Sequence, residues 1–239
     1  MPRTAIWHSI AQSLAAEIAA RQYLPGDKLP TEAALAARFG VNRHTVRQAL
    51  ADLAARGLVH ARRGAGVFVT ASPAEYPLGR RVRFHQNILA SGRMPARRIL
   101  RQETRRGALP ETAALLLPDG AMVHVVEGLS LADNLPIAHF CSIFPAAALP
   151  GFLPALAQSQ SVTAALKACG VHDYTRASTR LTARRAEAFL ARHLQLPEGA
   201  PVLHTESLNV DAAGNAVEYC ESSFAGDRAT LTVTPEAPA

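Results

Sequence analysis

The sequence predicts an α+β chain in two domains. The first is a small three-helix unit closed by a two-stranded hairpin. The second is a larger antiparallel sheet made by duplication. Three observations predict this. Residues 31–56 carry two helix patterns joined by a short turn, followed at once by two short β runs around a glycine-rich tip. A seven-residue pattern occurs twice, as Leu117-Pro118-Asp119-Gly120-Ala121-Met122-Val123 and as Leu196-Pro197-Glu198-Gly199-Ala200-Pro201-Val202, at a constant offset of 79. Charge is also divided along the chain. Residues 1–75 hold nine Lys/Arg against five Asp/Glu, residues 76–106 nine against one, and residues 107–239 seven against thirteen. A basic front and an acidic back point to a polyanion partner at one end only, although charge alone also fits a merely solvated basic surface.

With 239 residues, 49% of them hydrophobic and 18% charged, the chain is expected to fold rather than stay disordered. The expected division is the three-helix unit with its hairpin at 1–72, a linker at 73–82 and the larger domain at 83–239. Cys141, Cys169 and Cys220 are widely spaced and form no C-x-x-C, so neither a full disulfide set nor a standard zinc site is expected. No metal, no cofactor and no membrane partner is called for. No charged-then-apolar leader opens the chain. The apolar stretch Phe144 to Ala157 is broken by Pro145, Pro150 and Pro154 and should not span a bilayer. A reducing cytoplasm is the expected compartment.

Ile6, Ile10, Leu14 and Ile18 recur every four residues, the stripe of a first amphipathic helix ending near Gln22. Thr31 is an N-cap candidate for a second helix carrying Leu35 and Phe39, and Gly40 stops it. Asn42 then caps a third helix running to about Arg56, with Gly57 just beyond its end. Val46, Ala49, Leu50 and Leu53 form the stripe that docks this helix. Arg43 and Arg47 share another face near its N-terminus. Leu58–Arg62 and Val67–Val69 read as short strands joined by Arg63-Gly64-Ala65-Gly66.

Helix, short turn, helix and hairpin in this order make a winged helix-turn-helix, in which the N-terminal residues of the second helix of the pair meet base edges. The expected DNA contacts are Thr31, Asn42, Arg43, His44, Thr45, Arg47, Arg63 and Gly64. Arginine can bond guanine O6 and N7 bidentately. Arg62 or Arg63 at the hairpin tip would reach a phosphate or a minor groove.

Residues 25–70 resemble the signature of the GntR family of bacterial transcription regulators. The matching residues include Leu29-Pro30-Thr31-Glu32, Phe39-Gly40-Val41, Arg43, Thr45-Val46-Arg47 and Gly57-Leu58-Val59. Some members of that family carry a further DNA-contacting Arg directly after the Glu at position 32. Ala33 stands there in this chain.

Beyond residue 73, small and proline-containing residues lead into Arg80, Arg81, Arg83, Arg93, Arg97, Arg98, Arg101, Arg105 and Arg106. Two readings are open for this run: contact with DNA phosphates, or a solvated or anion-binding face of the second domain. A helix-like Phe84–Ala90 ends at Ser91-Gly92, and a strand is expected from Arg97 to Arg105. Each copy of the repeat follows an Ala/Leu-rich helix (about 110–116 and 185–194) and leads into a hairpin, with turns at Asp133-Asn134 and Ala213-Gly214-Asn215. A helix at 161–168, a strand at 175–183 and a final strand at 229–234 complete the domain, which should be one pseudo-twofold antiparallel sheet.

The closing residues Glu218-Tyr219-Cys220-Glu221-Ser222-Ser223-Phe224 through Arg228 resemble the chorismate-lyase-like (UTRA) effector domain of the HutC subfamily within GntR. Glu75-Tyr76-Pro77-Leu78, Arg83-Phe84 with Gln86-Asn87, and the run Thr179 to Ala186 are similar to the phosphonate-metabolism regulators of that subfamily. The resemblance implies a homodimer on near-palindromic operator DNA and a ligand between the duplicated halves. In sugar-phosphate-sensing members, two arginines, two apart on the first hairpin, hold the phosphate. Gly128 and Ser130 occupy those positions here, so an amino-sugar phosphate is not expected. By resemblance Ser161, Glu218 and Phe224 fall on ligand positions, and Arg83, Phe84 and His85 on the helix entry lining the pocket. Arg176, Ser178 and Arg180 alternate along the expected strand, which would restore positive charge for a phosphonate or phosphate oxyanion. The plainer readings are Glu218 as an ion-pair partner and Phe224 as core.

The resemblance implies a ligand-responsive repressor of phosphonate uptake or catabolism genes, with a small anionic effector. The alternatives are a repressor of another catabolic route, such as amino-sugar or histidine use, or a chorismate-lyase-like enzyme whose winged helix serves assembly. His85, His139 and His172 form no ligand spacing, and no G-x-S-x-G, H-E-x-x-H or P-loop lysine occurs. A pyridoxal-phosphate domain would need a Schiff-base lysine, and Lys28 and Lys167 are the only lysines. No enzymatic activity is expected.

Overall fold

Three helices open the chain: α1 (Ile6–Ala19), α2 (Glu32–Phe39) and α3 (Arg43–Ala55). The computed structural model describes residues 6–62, 64–70, 73–81 and 84–234, and the chain divides into the units Met1–Ser72 and Pro73–Ala239. In the first unit Ile10 and Leu14 of α1 meet Leu35 of α2 and Val46, Ala49, Leu50 and Leu53 of α3 in one apolar cluster. The caps fall where side-chain chemistry puts them. Thr31 Oγ1 accepts from Ala34 N at 3.2 Å and Asn42 Oδ1 accepts from Thr45 N at 2.8 Å. Gly40 closes α2 at φ 65°. Gly57 sits at φ 71° and Leu58 N donates back to Leu53 O at 2.9 Å, a Schellman closure of α3. The first helix ends before the expected Gln22 because Arg21 turns left-handed, at φ 57°.

The hairpin pairs β1 (Val59–Arg62) with β2 (Gly66–Val69). The stretch before α2 also joins it. Leu29 N donates to Val67 O at 2.8 Å and Val69 N donates to Asp27 O at 2.9 Å. The wing therefore has a third edge that the sequence pattern did not announce.

The second unit begins with β3 (Ala74–Pro77), which pairs in parallel with β10 (Ala229–Thr232). Much of the stretch 73–82, expected as a linker, is thus built into this domain, with Tyr76 buried against Phe84 and Phe224. Next come α4 (Phe84–Ala90), β4 (Pro95–Arg106), α5 (Leu109–Ala114), β5 (Met122–Ala132) and β6 (Leu135–Pro145). They are followed by α6 (Phe152–Ser159), α7 (Val162–Ala168), β7 (Tyr174–Arg185), α8 (Ala188–Leu194), β8 (Pro201–Asp211) and β9 (Ala216–Ala225). The helix α6 was not expected. Pro154 stands in its first turn, where no backbone donor is needed, so the proline does not break it.

The main sheet has the order β4-β5-β6-β9-β8-β7, two three-stranded halves meeting at β6 and β9. Adding 79 to the bounds of β4 gives those of β7, and adding 79 to β5 gives β8. The duplication therefore extends one strand further upstream than the sequence repeat. The first hairpin turns through Asp133 and Asn134, both left-handed, as a tight two-residue turn requires. The second turn is longer, and Asp211 Oδ1 accepts from the amides of Ala213 and Asn215 to hold it. One face of the sheet packs α8 and carries Leu129, Leu131, Val202 and Ala225. The other carries Phe140, Phe144 and Val126 under α6 and α7, with α4 and β3 beside them.

Candidate nucleic-acid interface and ligand pocket

The N-terminal turn of α3 is open to solvent at Asn42, Arg43 and His44. Asn42 Oδ1 also accepts from Thr45 Oγ1 at 3.0 Å, fixing both polar side chains at the helix start. Backbone N–H groups and a positive dipole end there favour an anion. Arg43 makes no ion pair among the described residues, so its guanidinium stands free for a base or phosphate. Arg47 is held differently. Its Nε and Nη2 donate to the two carboxylate oxygens of Glu32 at 3.1 and 2.8 Å. That bidentate bond is the main reason the Glu32 carboxyl is held below its ordinary range. Glu32 thus ties α2 to α3 and sets the direction of Arg47. Gly64 at the wing tip has φ 74° and open space around it. Arg63 lies outside the described residues, as does Arg83.

In the second unit a cavity of about 660 Å3 opens on the α6/α7 face of the main sheet, within the range of small-molecule sites. Seven of the residues expected for a ligand line it: Phe84 and His85 from α4, Ser130 from β5, Ser161 at the start of α7, Arg176 from β7, and Glu218 and Phe224 from β9. Phe224 is core as well, 5% exposed and packed on Tyr76. Glu218 is buried and accepts from Asn209 Nδ2 at 2.7 Å. It forms no ion pair among the described residues, so the ion-pair reading of this side chain is not what the structure has.

Ser178 and Arg180 are not part of the cavity lining. The pairing register of β7 with β8 shifts between Arg176 and Ser178. A bulge at Ala177 reverses the parity of the strand, so simple alternation from Arg176 fails. The side chain that follows Arg176 on the cavity face is Thr179, whose Oγ1 accepts from Arg176 Nη1 at 3.0 Å. Arg180 pairs in register with Glu206, and Ser178 with Leu208.

Arg97 was not singled out as a pocket residue. It lies in β4 opposite Ser130, lines the cavity, and stacks over the rings of Phe140 at 4.9 Å and Phe84 at 5.4 Å. The floor also contains Asn209, Ser207 and Thr205 of β8 and Ser142 and Ser222 of β6 and β9. Tyr76, at the margin, has its hydroxyl pushed up to about 12 by burial, opposed by Arg97 and Arg176.

Residues 8–69 match the gntR family of bacterial regulatory proteins, and residues 90–230 match the UTRA domain. The chain belongs to the GntR family and carries a UTRA domain. It is 38% identical over 230 residues to the HTH-type transcriptional regulator RB1450 of Rhizobium meliloti (strain 1021), covering 96% of this chain and 94% of that one. It is 32% identical over 237 residues to the probable transcriptional regulator PhnF of Escherichia coli (strain K12), covering 95% and 94%. The crystal structure of PhnF from Mycobacterium smegmatis superposes with a TM-score of 0.66 at 24% identity, covering 96% of this chain and all of that one. These relatives are transcriptional regulators, and this GntR chain is a regulator rather than an enzyme.

One signal in the regulator's sequence pointed to Arg97. At the repeat offset of 79, Arg97, Arg101, Arg105 and Arg106 coincide with Arg176, Arg180, Arg184 and Arg185. Part of the basic run that was open to two readings is neutralised inside the domain, Arg81 by Asp173 among them. Arg101 pairs with Glu127 at 3.0 Å, and Arg105 with Glu111 at 2.7 Å. Among the described residues no helix is long and apolar enough to cross a membrane.

Proposed function

We propose that the chain is a cytoplasmic, homodimeric repressor that releases operator DNA when a small phosphorus oxyanion enters the cavity of the second unit, and that phosphonates are the preferred class. The observation that carries the ligand class is the presence of Arg97 and Arg176 at one cavity, neither with an acidic partner among the described residues. Guanidinium groups in a partly dry site bind phosphonate or phosphate through short charge-assisted bonds. The motifs shared with phosphonate-metabolism regulators point the same way. An amino-sugar phosphate is disfavoured because Gly128 has no room for a phosphate-binding side chain, its Cβ position lying 2.5 Å from Arg98 O. For DNA, the free Arg43 and the Glu32-held Arg47 are the base-reading pair, and dimer symmetry would be mirrored in a near-palindromic site.

The test has two arms. Fluorescence anisotropy with DNA from upstream of the neighbouring genes should give specific binding that weakens steeply with salt. Arg43→Ala should weaken it by about 1–3 kcal/mol with an unchanged circular dichroism spectrum. Thermal-shift screening should show stabilisation by phosphonates and none by sugar phosphates. Unchanged operator binding by Arg43→Ala would overturn the recognition-face assignment, and stabilisation by sugar phosphates alone would overturn the ligand class.

A further inference from the structure

Asn209 holds two opposite charges apart in the cavity floor. Its Oδ1 accepts from Arg176 Nε at 2.8 Å, and its Nδ2 donates to Glu218 Oε2 at 2.7 Å. A protein that needed only to neutralise Glu218 could let Arg176 bond it directly, as Arg47 bonds Glu32. Instead the amide stands between them, and Thr179 fixes a second nitrogen of Arg176. Both charged groups keep unused capacity towards the cavity. Arg176 has three further N–H donors, and Glu218 has its other oxygen. Glu218 is 8% exposed and has no cation partner among the described residues. A carboxylate so placed is costly unless something positive joins it.

The duplication sharpens the point. Arg97 and Arg176 are symmetry mates, as are Ser130 and Asn209, and the register pairs Arg97 with Ser130 and Arg176 with Asn209. Where Ser130 pairs with Ala138, Asn209 pairs with Glu218. The cations are thus present in both halves, whereas the acid occurs in one only. It is a local addition to the twofold plan, and it faces the cavity rather than the packed side of the sheet.

We propose that the cavity is built for a zwitterion, with an oxyanion headgroup held by Arg97 and Arg176 and an amine, joined to it by a short spacer, held by Glu218. Asn209 sets the separation of the two ends. The hydroxyls of Ser130, Ser142, Ser207 and Ser222 supply polar walls between them. An aminoalkylphosphonate has this chemistry. The inference rests on the anionic-effector reading above and adds the amine to it.

The test compares ethylphosphonate with 2-aminoethylphosphonate by calorimetric titration of the full chain. The aminated probe should bind about tenfold or more tightly, the worth of one charge-assisted hydrogen bond. Glu218→Gln, which keeps the shape and the acceptor for Asn209, should bring the two affinities to within about twofold of each other. Arg97→Gln should weaken both probes together. Equal affinities in the wild type, or a preference for ethylphosphonate, would overturn the zwitterion proposal while leaving the anionic effector standing. A ratio unchanged by Glu218→Gln would overturn the role of that carboxylate. Binding of neither probe would overturn the phosphonate reading and this inference with it. The wild-type ratio decides by itself should the variant not fold.

Discussion

Gly128 stands where sugar-phosphate-sensing relatives are expected to carry an arginine, and replacing it tests whether the position is merely uncharged or physically closed. A Cβ added there would lie 2.5 Å from Arg98 O, 3.0 Å from Phe140 Cζ and 3.2 Å from Ile99 Cα. The ring of Phe140 has some freedom to move. The two backbone atoms of β4 have little, because Ile99 sits opposite Gly128 beside a register shift of the β4–β5 ladder. Relief needs nearly an ångström of strand movement, and overpacking of this kind costs about 1–3 kcal/mol. Against this, Gly→Ala stabilises by about 0.4–1 kcal/mol through the unfolded chain. The net expectation for Gly128→Ala is a loss of about 1–2 kcal/mol, or about 2–8 °C in Tm for a domain of this size.

The control is Gly199→Ala. Gly199 has φ 78° and nothing within 4 Å of its Cβ position, so it carries backbone strain without a clash. Gly128 is not among the left-handed glycines, so it carries the clash without the strain. Differential scanning calorimetry should show the Gly128→Ala transition lowered. Trp7, the only tryptophan, lies in α1 of the other unit, and its fluorescence reads that unit separately. A Gly128→Ala protein that melts at or above the wild-type temperature would refute the closed-position argument. So would a Gly128→Arg protein that folds normally and gains sugar-phosphate binding.

Three further outcomes follow from the geometry. Arg228 is 2% exposed and donates to the carbonyls of Pro136, Leu194 and Gln195, so Arg228→Ala should cost about 3 kcal/mol in urea denaturation; a loss below about 1 kcal/mol would show those carbonyls find other donors. Glu111 is held below its ordinary value of 4.5, first by Arg105 and also by the Ala108 amide. Its contribution is complete above 4.5 and is lost as pH falls through the lowered folded value, so Glu111→Gln should flatten the acid limb of the stability profile, and an unaltered limb would contradict this. Asn42→Ala removes the α3 cap and should destabilise the first unit by about 1 kcal/mol, read by Trp7 fluorescence; an unchanged transition would mean Thr45 N–H is satisfied without it.

The second and third helices of the first unit were legible because their ends are set by local residues. Thr31, Gly40, Asn42 and Gly57 each act on the backbone within three or four residues, so local sequence suffices. The hairpins of the second unit were legible through the repeat. What escaped was non-local. The strand β3 exists only because β10, far along the chain, offers it an edge, and nothing in Ala74–Pro77 itself declares that pairing. The parity of β7 was misread for a related reason. A bulge at Ala177 depends on how β8 lies beside it, and one extra residue was enough to turn Ser178 and Arg180 away from the cavity.

The same bulges explain how one basic pattern serves two purposes in this GntR protein. Each half begins its outer strand with an arginine on the cavity face, Arg97 or Arg176. Each strand then shifts register, at Ile99/Arg101 in β4 and at Arg176/Ser178 in β7. Beyond the shift the next repeated arginine meets a glutamate across the ladder: Arg101 opposite Glu127, and Arg180 opposite Glu206. Those glutamates are also related by the repeat. Without the bulge a strict alternation would put Arg97, Arg101 and Arg105 of β4, and Arg176, Arg180 and Arg184 of β7, along the cavity face. With it, each half gives a single guanidinium to the cavity and turns the next repeated arginine to the face that carries Glu127 and Glu206. The positive charge of the pocket is therefore set by backbone irregularity as much as by residue choice. Straightening either strand would change the cavity's charge without altering a single side chain in it.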